Sequence, residues 1–341
     1  MIKINYPASI KHALRPTAVE PLTHHGKRFD GVDLWIKRDD LTGFELSGNK
    51  VRKLEFSMAA ALEQGANAVV TCGGVNSNHC RATTFLARRL GLDIHLFLRT
   101  PDGQPPQVIQ GNTLLNQIAG ARIHWIDPDA YLERDQLMRE FARRQDQRGR
   151  PVFVIPEGAS DALGAFGFVR AAEELQQQLQ AMDLEITHVV SAVGSGGTVA
   201  GLSAGRDALG VGWQILGFAV CDDEPYFHRI ISGIRQQLQN YGLPAFGESS
   251  NLVLNAHYQG RGYGLTTQNE LIEIAEFARS EGILLDPCYT GKAFIGMNRE
   301  IEKGTIPRGS RVLFWHTGGA LGNFSYEADW ARALEKSNSP A

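Results

Sequence analysis

Ser47-Gly48-Asn49-Lys50-Val51-Arg52-Lys53-Leu54-Glu55 follows an apolar, strand-like run, Val32-Asp33-Leu34-Trp35-Ile36, and leads into a segment rich in helix formers over 53–64. In that segment Leu54, Met58, Ala61 and Leu62 recur at helical spacing and make one face apolar. Ser47 or Asn49 is placed to cap the helix, and Gly48 permits a tight backbone. Lys50 therefore falls at or near a helix N-terminus, just past a strand end. The helix dipole disfavours a cation there. A lysine set against its own electrostatics is a candidate for a neutral, nucleophilic amine, the form that bonds a carbonyl carbon. The alternative is a solvated lysine beside a turn, the common situation for this residue type. The rest of the chain decides between them.

From residue 51 the chain alternates between two periodicities. Helix 51–64 leads to the apolar strand Ala68-Val69-Val70-Thr71-Cys72, the loop Gly73-Gly74-Val75-Asn76-Ser77-Asn78 and a helix from His79 to about Leu90. Strand 93–99, helix 111–119, strand 121–126, a long polar helix over 130–148 and the strand Val152-Phe153-Val154-Ile155 follow. Pro156-Glu157-Gly158-Ala159-Ser160 is turn-rich and suits a crossing between domains. Helix 161–181, strand 187–193, the loop Gly194-Ser195-Gly196-Gly197-Thr198 and a further helix repeat the rhythm. Strand 214–220, a helical region over 224–240, helix 267–281 and strand 311–315 complete it, with no clear element in the Gly-, Asn- and Tyr-rich stretch 241–264. Short apolar runs alternating with helices predict βαβ units, parallel sheets and an α/β fold. Residues 1–31 carry turn signals and read as an arm lying on the body. The tail 336–341 is expected to fray.

Composition excludes several classes. A chain of 341 residues accommodates two domains of ~100–200 residues each. With 34 basic and 37 acidic residues, net −3, it offers no footprint for nucleic acid or an anionic membrane. No run approaches the ~18 apolar residues of a membrane span. Met1-Ile2-Lys3-Ile4-Asn5-Tyr6 lacks the apolar core of a signal peptide, so a cytoplasmic location is expected. Cys72, Cys80, Cys221 and Cys288 show no paired spacing and read as reduced thiols, without a disulfide frame or a zinc or other metal site.

In an open parallel sheet, ligands bind beyond the carboxyl ends of the strands. Gly194-Ser195-Gly196-Gly197-Thr198 sits there, between strand and helix. Its successive N–H groups, the Ser195 and Thr198 hydroxyls and the helix dipole make a phosphate cup. Val199 stands where a dinucleotide fingerprint needs its third glycine, so one phosphate monoester fits better than a pyrophosphate. Asn76-Ser77-Asn78-His79 also ends at a helix start and suits a carboxylate or a ring oxygen, although a plain N-cap explains Ser77 and Asn78 equally well. Tyr289 lies in a turn after an apolar run, where a phenol serves as acid or base, or simply packs. An anchoring lysine, a single-phosphate cup and polar contacts for a pyridine ring together ask for one cofactor, pyridoxal phosphate.

Taken in order, several motifs resemble the D-cysteine desulfhydrase / 1-aminocyclopropane-1-carboxylate deaminase family over about residues 30–325. They are Ser47-Gly48-Asn49-Lys50 with Arg52-Lys53-Leu54-Glu55, Ser77-Asn78-His79, Gly194-Ser195-Gly196-Gly197-Thr198, Gly262-Tyr263-Gly264, Asp286-Pro287-Cys288-Tyr289-Thr290-Gly291-Lys292 and His316-Thr317-Gly318-Gly319. These are pyridoxal-phosphate enzymes of the tryptophan-synthase-β fold (fold type II). The resemblance implies two three-layer α/β/α domains with mainly parallel sheets. A small domain over 51–160 would be inserted into a larger, cofactor-binding one made of 1–50 and 161–341, and the protein would be a homodimer. It also implies roles. Lys50 would hold the cofactor and move protons, and Asn78 would contact the ring hydroxyl. Ser77, with the backbone around Asn78 and His79, would take the substrate carboxylate. Gly194, Ser195, Gly196, Gly197 and Thr198 would bind the phosphate. Tyr263 and Tyr289 would flank ring and substrate, Tyr289 with Ser77 joining Lys50 as catalytic candidates. Thr290 or Thr317 would lie by the pyridine nitrogen.

Family members that open a cyclopropane carry a glutamate just after the tyrosine matching Tyr289, and an apolar residue at the position of Thr317. The glutamate keeps the pyridine nitrogen protonated and the ring a strong electron sink. Here those positions are Thr290 and Thr317. A hydroxyl cannot pair with a pyridinium charge, and a weaker sink suffices when a good leaving group departs from Cβ. The expectation is β-elimination from a small amino acid, D-cysteine first, with L-cysteate as the alternative and ring opening third. A non-catalytic binding protein that kept the fold is the rival from another class. Two departures bear on the substrate. Asn76 stands where many desulfhydrases have Gln, and Leu265-Thr266 follows Gly264 where Pro-Asn is frequent.

Overall fold

The computed structural model describes residues 3–247 and 251–338. β1 (Val19–Pro21), β2 (Asp33–Arg38), α1 (Lys50–Glu63), β3 (Ala68–Gly74), α2 (Asn78–Arg89), β4 (Asp93–Arg99), α3 (Gly111–Ile118), β5 (Arg122–Ile126), α4 (Pro128–Leu132), α5 (Arg134–Asp146) and β6 (Val152–Val154) form the first half. The second half comprises α6 (Ala162–Ala181), β7 (His188–Val193), α7 (Gly197–Leu209), β8 (Gln214–Ala219), α8 (Glu224–Gln237), β9 (Leu252–Asn255), α9 (Gln268–Glu281), α10 (Thr290–Glu302), β10 (Arg311–His316) and α11 (Glu327–Asn338). The strands make two sheets, one ordered β1-β2-β10-β7-β8-β9 and the other β5-β4-β3-β6. Every pairing is parallel except β1 with β2. Such strands are covered on both faces, so they are apolar throughout rather than alternating. Val69, Val70, Thr71 and Cys72 of β3 and Val312 to Trp315 of β10 are buried accordingly.

The smaller sheet comes wholly from residues 68–154, and the larger one from both sides of that segment. This supports the proposal of a body over 51–160 set into one built from 1–50 and 161–341, with α1 shared between them. Leu54, Met58 and Ala61 of α1 pack with Val69 and Leu86, while Phe56 packs with Phe166 of α6. Leu62, expected on the apolar face, is exposed.

Four charged side chains tie the start of α1 to the larger body. The Arg52 guanidinium donates to both Asp39 oxygens (Nε 2.8 Å, Nη2 2.8 Å) and to both Glu174 oxygens (2.9 Å each). Lys37 Nζ donates to Glu174 Oε1 at 2.7 Å and to the Thr17 carbonyl at 2.7 Å. Two cations and two carboxylates balance, which is what burial of charge requires. Burial raises the Glu174 carboxyl, but the hydrogen bonds and charge of Arg52, with Lys37, outweigh it and bring the pKa from 4.5 to about 2. The stability this supplies is full above pH 4.5 and fades as pH falls towards 2. Urea midpoints measured over that window are expected to fall in the parent and to flatten in Glu174→Gln.

The arm lies on the body, as expected. The Tyr6 hydroxyl donates to Glu173 at 2.8 Å and Ile10 N–H to the Glu55 carbonyl at 3.1 Å. Three elements depart from the sequence reading. The arm contains the short antiparallel β1. The long polar helix is two: Asp127 caps α4 through Ala130 N–H, Pro128 fixes its first turn, and the backbone leaves the helical register at Glu133 (φ −98°, ψ 16°), where α4 ends and α5 begins. The stretch 241–264 contains β9, four residues paired only along β8 and too short to show a period. Of the tail, Lys336 to Asn338 belong to α11, and 339–341 lie outside the described residues. All four cysteines are free thiols. No helix among the described residues is long and apolar enough to cross a membrane.

Candidate active site

Lys50 is the first residue of α1, but neither Ser47 nor Asn49 caps it with a side chain. The backbone does the work of placing it. Asn49 N–H donates to the Thr317 carbonyl at 3.0 Å, Gly48 N–H to the Asp39 carbonyl at 3.0 Å, and the Thr42 hydroxyl to the Gly48 carbonyl at 2.9 Å. Gly48 has φ 102°, and a β-carbon there would meet the Thr317 carbonyl at 2.8 Å, so only glycine fits. The Asn49 amide donates instead to Thr198 Oγ1 at 2.9 Å, joining the lysine loop to the glycine loop. Burial lowers the Lys50 amine to about 8, against the raising charges of Glu157 and Cys288.

Lys50, Asn78, Gly194, Ser195, Gly196, Thr198, Tyr289 and Thr317 line one narrow recess at the strand ends. Gly196 has φ 80° and α7 begins at Gly197, so the first N–H groups of that helix have no intrahelical acceptor. Beside them lies Lys53, fully buried, its Nζ 2.9 Å from Ser160 Oγ. Ser160 Oγ also sits 2.8 Å from Ser195 Oγ and accepts from Gly197 N–H at 3.3 Å. Among the described residues Lys53 has no ion-pair partner. Burial, then the charge of Lys50, pushes its amine well below the ordinary lysine range. A buried amine without a carboxylate, set at a helix N-terminus, is a site waiting for an anion.

The remaining candidates fall around this recess. Ser77 Oγ caps α2 by accepting from Cys80 N–H at 3.2 Å. Asn78 Oδ1 accepts from Asn112 Nδ2 at 2.9 Å. The His79 ring is buried, with Nε2 2.7 Å from Thr71 Oγ1, and it does not line the recess. Burial and the neighbouring lysines hold it neutral. The Tyr263 and Tyr289 hydroxyls are 2.6 Å apart and their rings meet edge-on at 5.7 Å. The two threonines separate. Thr317 lines the recess, whereas the Thr290 hydroxyl donates to Asp286 Oδ1 at 2.7 Å and accepts from Asp286 N–H at 2.8 Å, deep in the protein. Asp286 accepts three further N–H groups, from Cys288, Tyr289 and Thr290, and so shapes the turn that presents Tyr289.

A family model described as pyridoxal-phosphate dependent enzyme matches residues 10–318. The chain belongs to that family. It is 41% identical over 320 residues to the bifunctional D-cysteine desulfhydrase/1-aminocyclopropane-1-carboxylate deaminase, mitochondrial, of Arabidopsis thaliana, covering 89% of this chain and 78% of that protein. It is 40% identical to a putative 1-aminocyclopropane-1-carboxylate deaminase of Thermotoga maritima, covering 92% and 96%. The crystal structure of an ACC deaminase homologue superposes with a TM-score of 0.86 at 34% identity, covering 96% of this chain and 97% of that one. The resemblance read from the motifs, the fold-type II architecture and the cofactor therefore stand.

The recess fits pyridoxal phosphate by its own chemistry. The N–H groups of the first turn of α7, Gly197 N–H held only by a 3.3 Å bond to Ser160 Oγ, the hydroxyls of Ser195 and Thr198 and the Lys53 amine, which has no ion-pair partner among the described residues, suit a phosphate dianion. A β-carbon at Gly197 would come 2.8 Å from Lys53 Nζ and fill that cradle. Lys53, Ser160 and Asp286 were not singled out in the sequence. Lys53 was findable, because three residues after Lys50 it shares that helical face. Ser160 and Asp286 act through contacts distant in sequence or through a turn, which periodicity does not register. Lys53→Ala is expected to weaken cofactor binding roughly tenfold to a hundredfold, the loss of one charge-assisted phosphate contact. Equilibrium dialysis of pyridoxal phosphate against the apo protein measures it.

Proposed function

We propose that this enzyme is a lyase that eliminates a sulfur substituent from the β-carbon of a small amino acid, with D-cysteine as the first substrate. One observation carries the reading. Among the described residues the recess wall has the Thr317 hydroxyl and no carboxylate, so nothing there pairs with a protonated pyridine nitrogen. Thr290, the other threonine considered, has its hydroxyl committed to Asp286. A site without a carboxylate partner favours reactions with a good leaving group on Cβ over the opening of a carbon ring.

When bound, the cofactor supplies an electron sink for the pair released at Cα. Lys53 and the 194–198 loop would hold its phosphate, Asn78 its ring hydroxyl and Thr317 its ring nitrogen. The N-terminus of α2, with Ser77, would fix the substrate carboxylate. The Lys50 amine, which burial lowers to about 8 so that it is half neutral there and neutral above, takes the Cα proton. Tyr289, its hydroxyl shared with Tyr263, gives a proton to the departing sulfur. Sulfur leaves with the Cβ–S bonding pair, and water converts the enamine to pyruvate. The balance is cysteine plus water to pyruvate, ammonium and hydrogen sulfide.

Similarity to proteins named as 1-aminocyclopropane-1-carboxylate deaminases supports a second reading, deamination of that cyclopropane amino acid, and L-cysteate is a further candidate substrate. A panel of D- and L-β-substituted alanines and the cyclopropane amino acid, scored for pyruvate and 2-oxobutanoate, decides between them. Pyruvate from D-cysteine is expected to form fastest. Faster 2-oxobutanoate from the cyclopropane overturns the threonine argument, and a protein that takes up no cofactor favours a binding role. We further propose a cytoplasmic homodimer. Leu14, Leu41 and Phe44, the last 77% exposed, lie together beside the lysine loop and would suit a second copy.

A further inference from the structure

A second, larger space of about 540 Å³ adjoins the recess, sharing Gly194 and Ser195 with it. Its walls come from strand ends of both sheets and from α4, α5 and α8. A thiol leaving group does not need that much room, and the charges on the walls are specific. Arg99, the last residue of β4, lies 4.8 Å above the Tyr131 ring. Arg134 stacks on the same ring at 4.9 Å, but its Nε meets Glu157 Oε2 at 3.1 Å. Arg99 has no ion-pair partner among the described residues, so the stack orients its guanidinium and leaves the donors free. Asp222 lines the same space, three residues past β8 and in a left-handed conformation (φ 52°). It too has no cationic partner among the described residues. A guanidinium and a carboxylate, neither of them ion-paired among the described residues, thus line the same polar cleft.

We infer that this cleft receives an extended substituent on the substrate's β-carbon, one that ends in an α-amino acid, with Arg99 taking its carboxylate and Asp222 its ammonium. This rests on the β-elimination reading and names a substrate class for it, the thioethers and disulfides of cysteine. In the thioether case the Cβ–S pair leaves with sulfur as a thiolate, which is protonated by Tyr289 or by solvent. Pyruvate and ammonium form as with cysteine, and no oxidant or reductant enters.

The test compares cystathionine, a thioether with an amino-acid end, with S-methylcysteine, whose substituent is neutral and short, in both hands at the reacting carbon. For Arg99→Gln and for Asp222→Asn, the ratio of kcat/KM for cystathionine over S-methylcysteine is expected to fall roughly tenfold, with the loss in KM, and Arg99→Lys to recover part of it. A ratio within about twofold of the parent's in both variants overturns the assignment. If the parent releases pyruvate from neither compound, the elimination reading fails instead. Calorimetric titration of cystathionine into parent and variant holoenzymes then judges the cleft: weaker binding in the variants supports it and equal binding overturns it. Should Arg99→Gln fail to load cofactor, Asp222→Asn carries both measurements.

Discussion

Lys50→Ala is expected to lower pyruvate release from D-cysteine by roughly 10⁴-fold, the upper end for a positioned proton-transfer group. In the proposed role the same amine is the cofactor's covalent tether, so the purified variant should also be colourless. The fold should survive. The lysine loop is held by backbone bonds to Asp39, Thr42 and Thr317 that the substitution does not touch, and alanine suits a first helical turn. Far-UV circular dichroism and the thermal midpoint are therefore expected to stay near the parent's. A pH signature accompanies the loss. In the parent apo protein, cofactor uptake requires the neutral amine, so its rate should climb as pH rises to about 8 and level off above it. A yellow, active Lys50→Ala protein would remove the basis of the proposed chemistry.

Arg52→Ala is expected to produce the largest loss of stability, about 3–5 kcal/mol, the range for removing one partner from a buried ion cluster. The guanidinium is 1% exposed and bridges Asp39 and Glu174. Without it two carboxylates face Lys37 alone. The contrast is Arg144→Ala, whose pair with Glu140 is exposed on both sides and is expected to contribute under about 0.5 kcal/mol. Urea unfolding of both variants measures the difference. Because Arg52 stands two residues beyond Lys50, its loss should also loosen cofactor binding, read by the same dialysis as for Lys53→Ala.

Much of this was legible before any coordinates. The alternation of apolar runs and helices marked the parallel strands, with 93–99 matching β4. The loops at 47–50, 194–198 and 316–319 announced themselves by glycine at strand ends. What the sequence concealed are contacts between distant residues. Nothing local says that Asn49 would reach Thr198, or that Thr290 would turn to Asp286 and leave Thr317 alone on the recess wall. By composition the charge cluster Lys37-Arg38-Asp39-Asp40 suits a solvated turn as well as a buttress for the Lys50 loop. Only the fold shows that Asp39 points inward to Arg52 while Asp40 pairs with Arg38. His79 sits in a motif, but its ring is claimed by Thr71, since its helical phase turns it towards β3, and Thr83 donates to its backbone carbonyl.

The order of strands has a consequence for how the protein is made. β10, the last strand to leave the ribosome, lies in the middle of the larger sheet, between β2 and β7. The smaller sheet is contiguous in the chain and can close while synthesis continues. The larger one must keep a gap open until nearly the whole polypeptide has emerged. Its apolar strands are exposed to chaperones and to misassembly for that interval. The loop that clasps Gly48 arrives at the end of the same strand, so a nascent chain has no competent pocket to load until translation is almost complete.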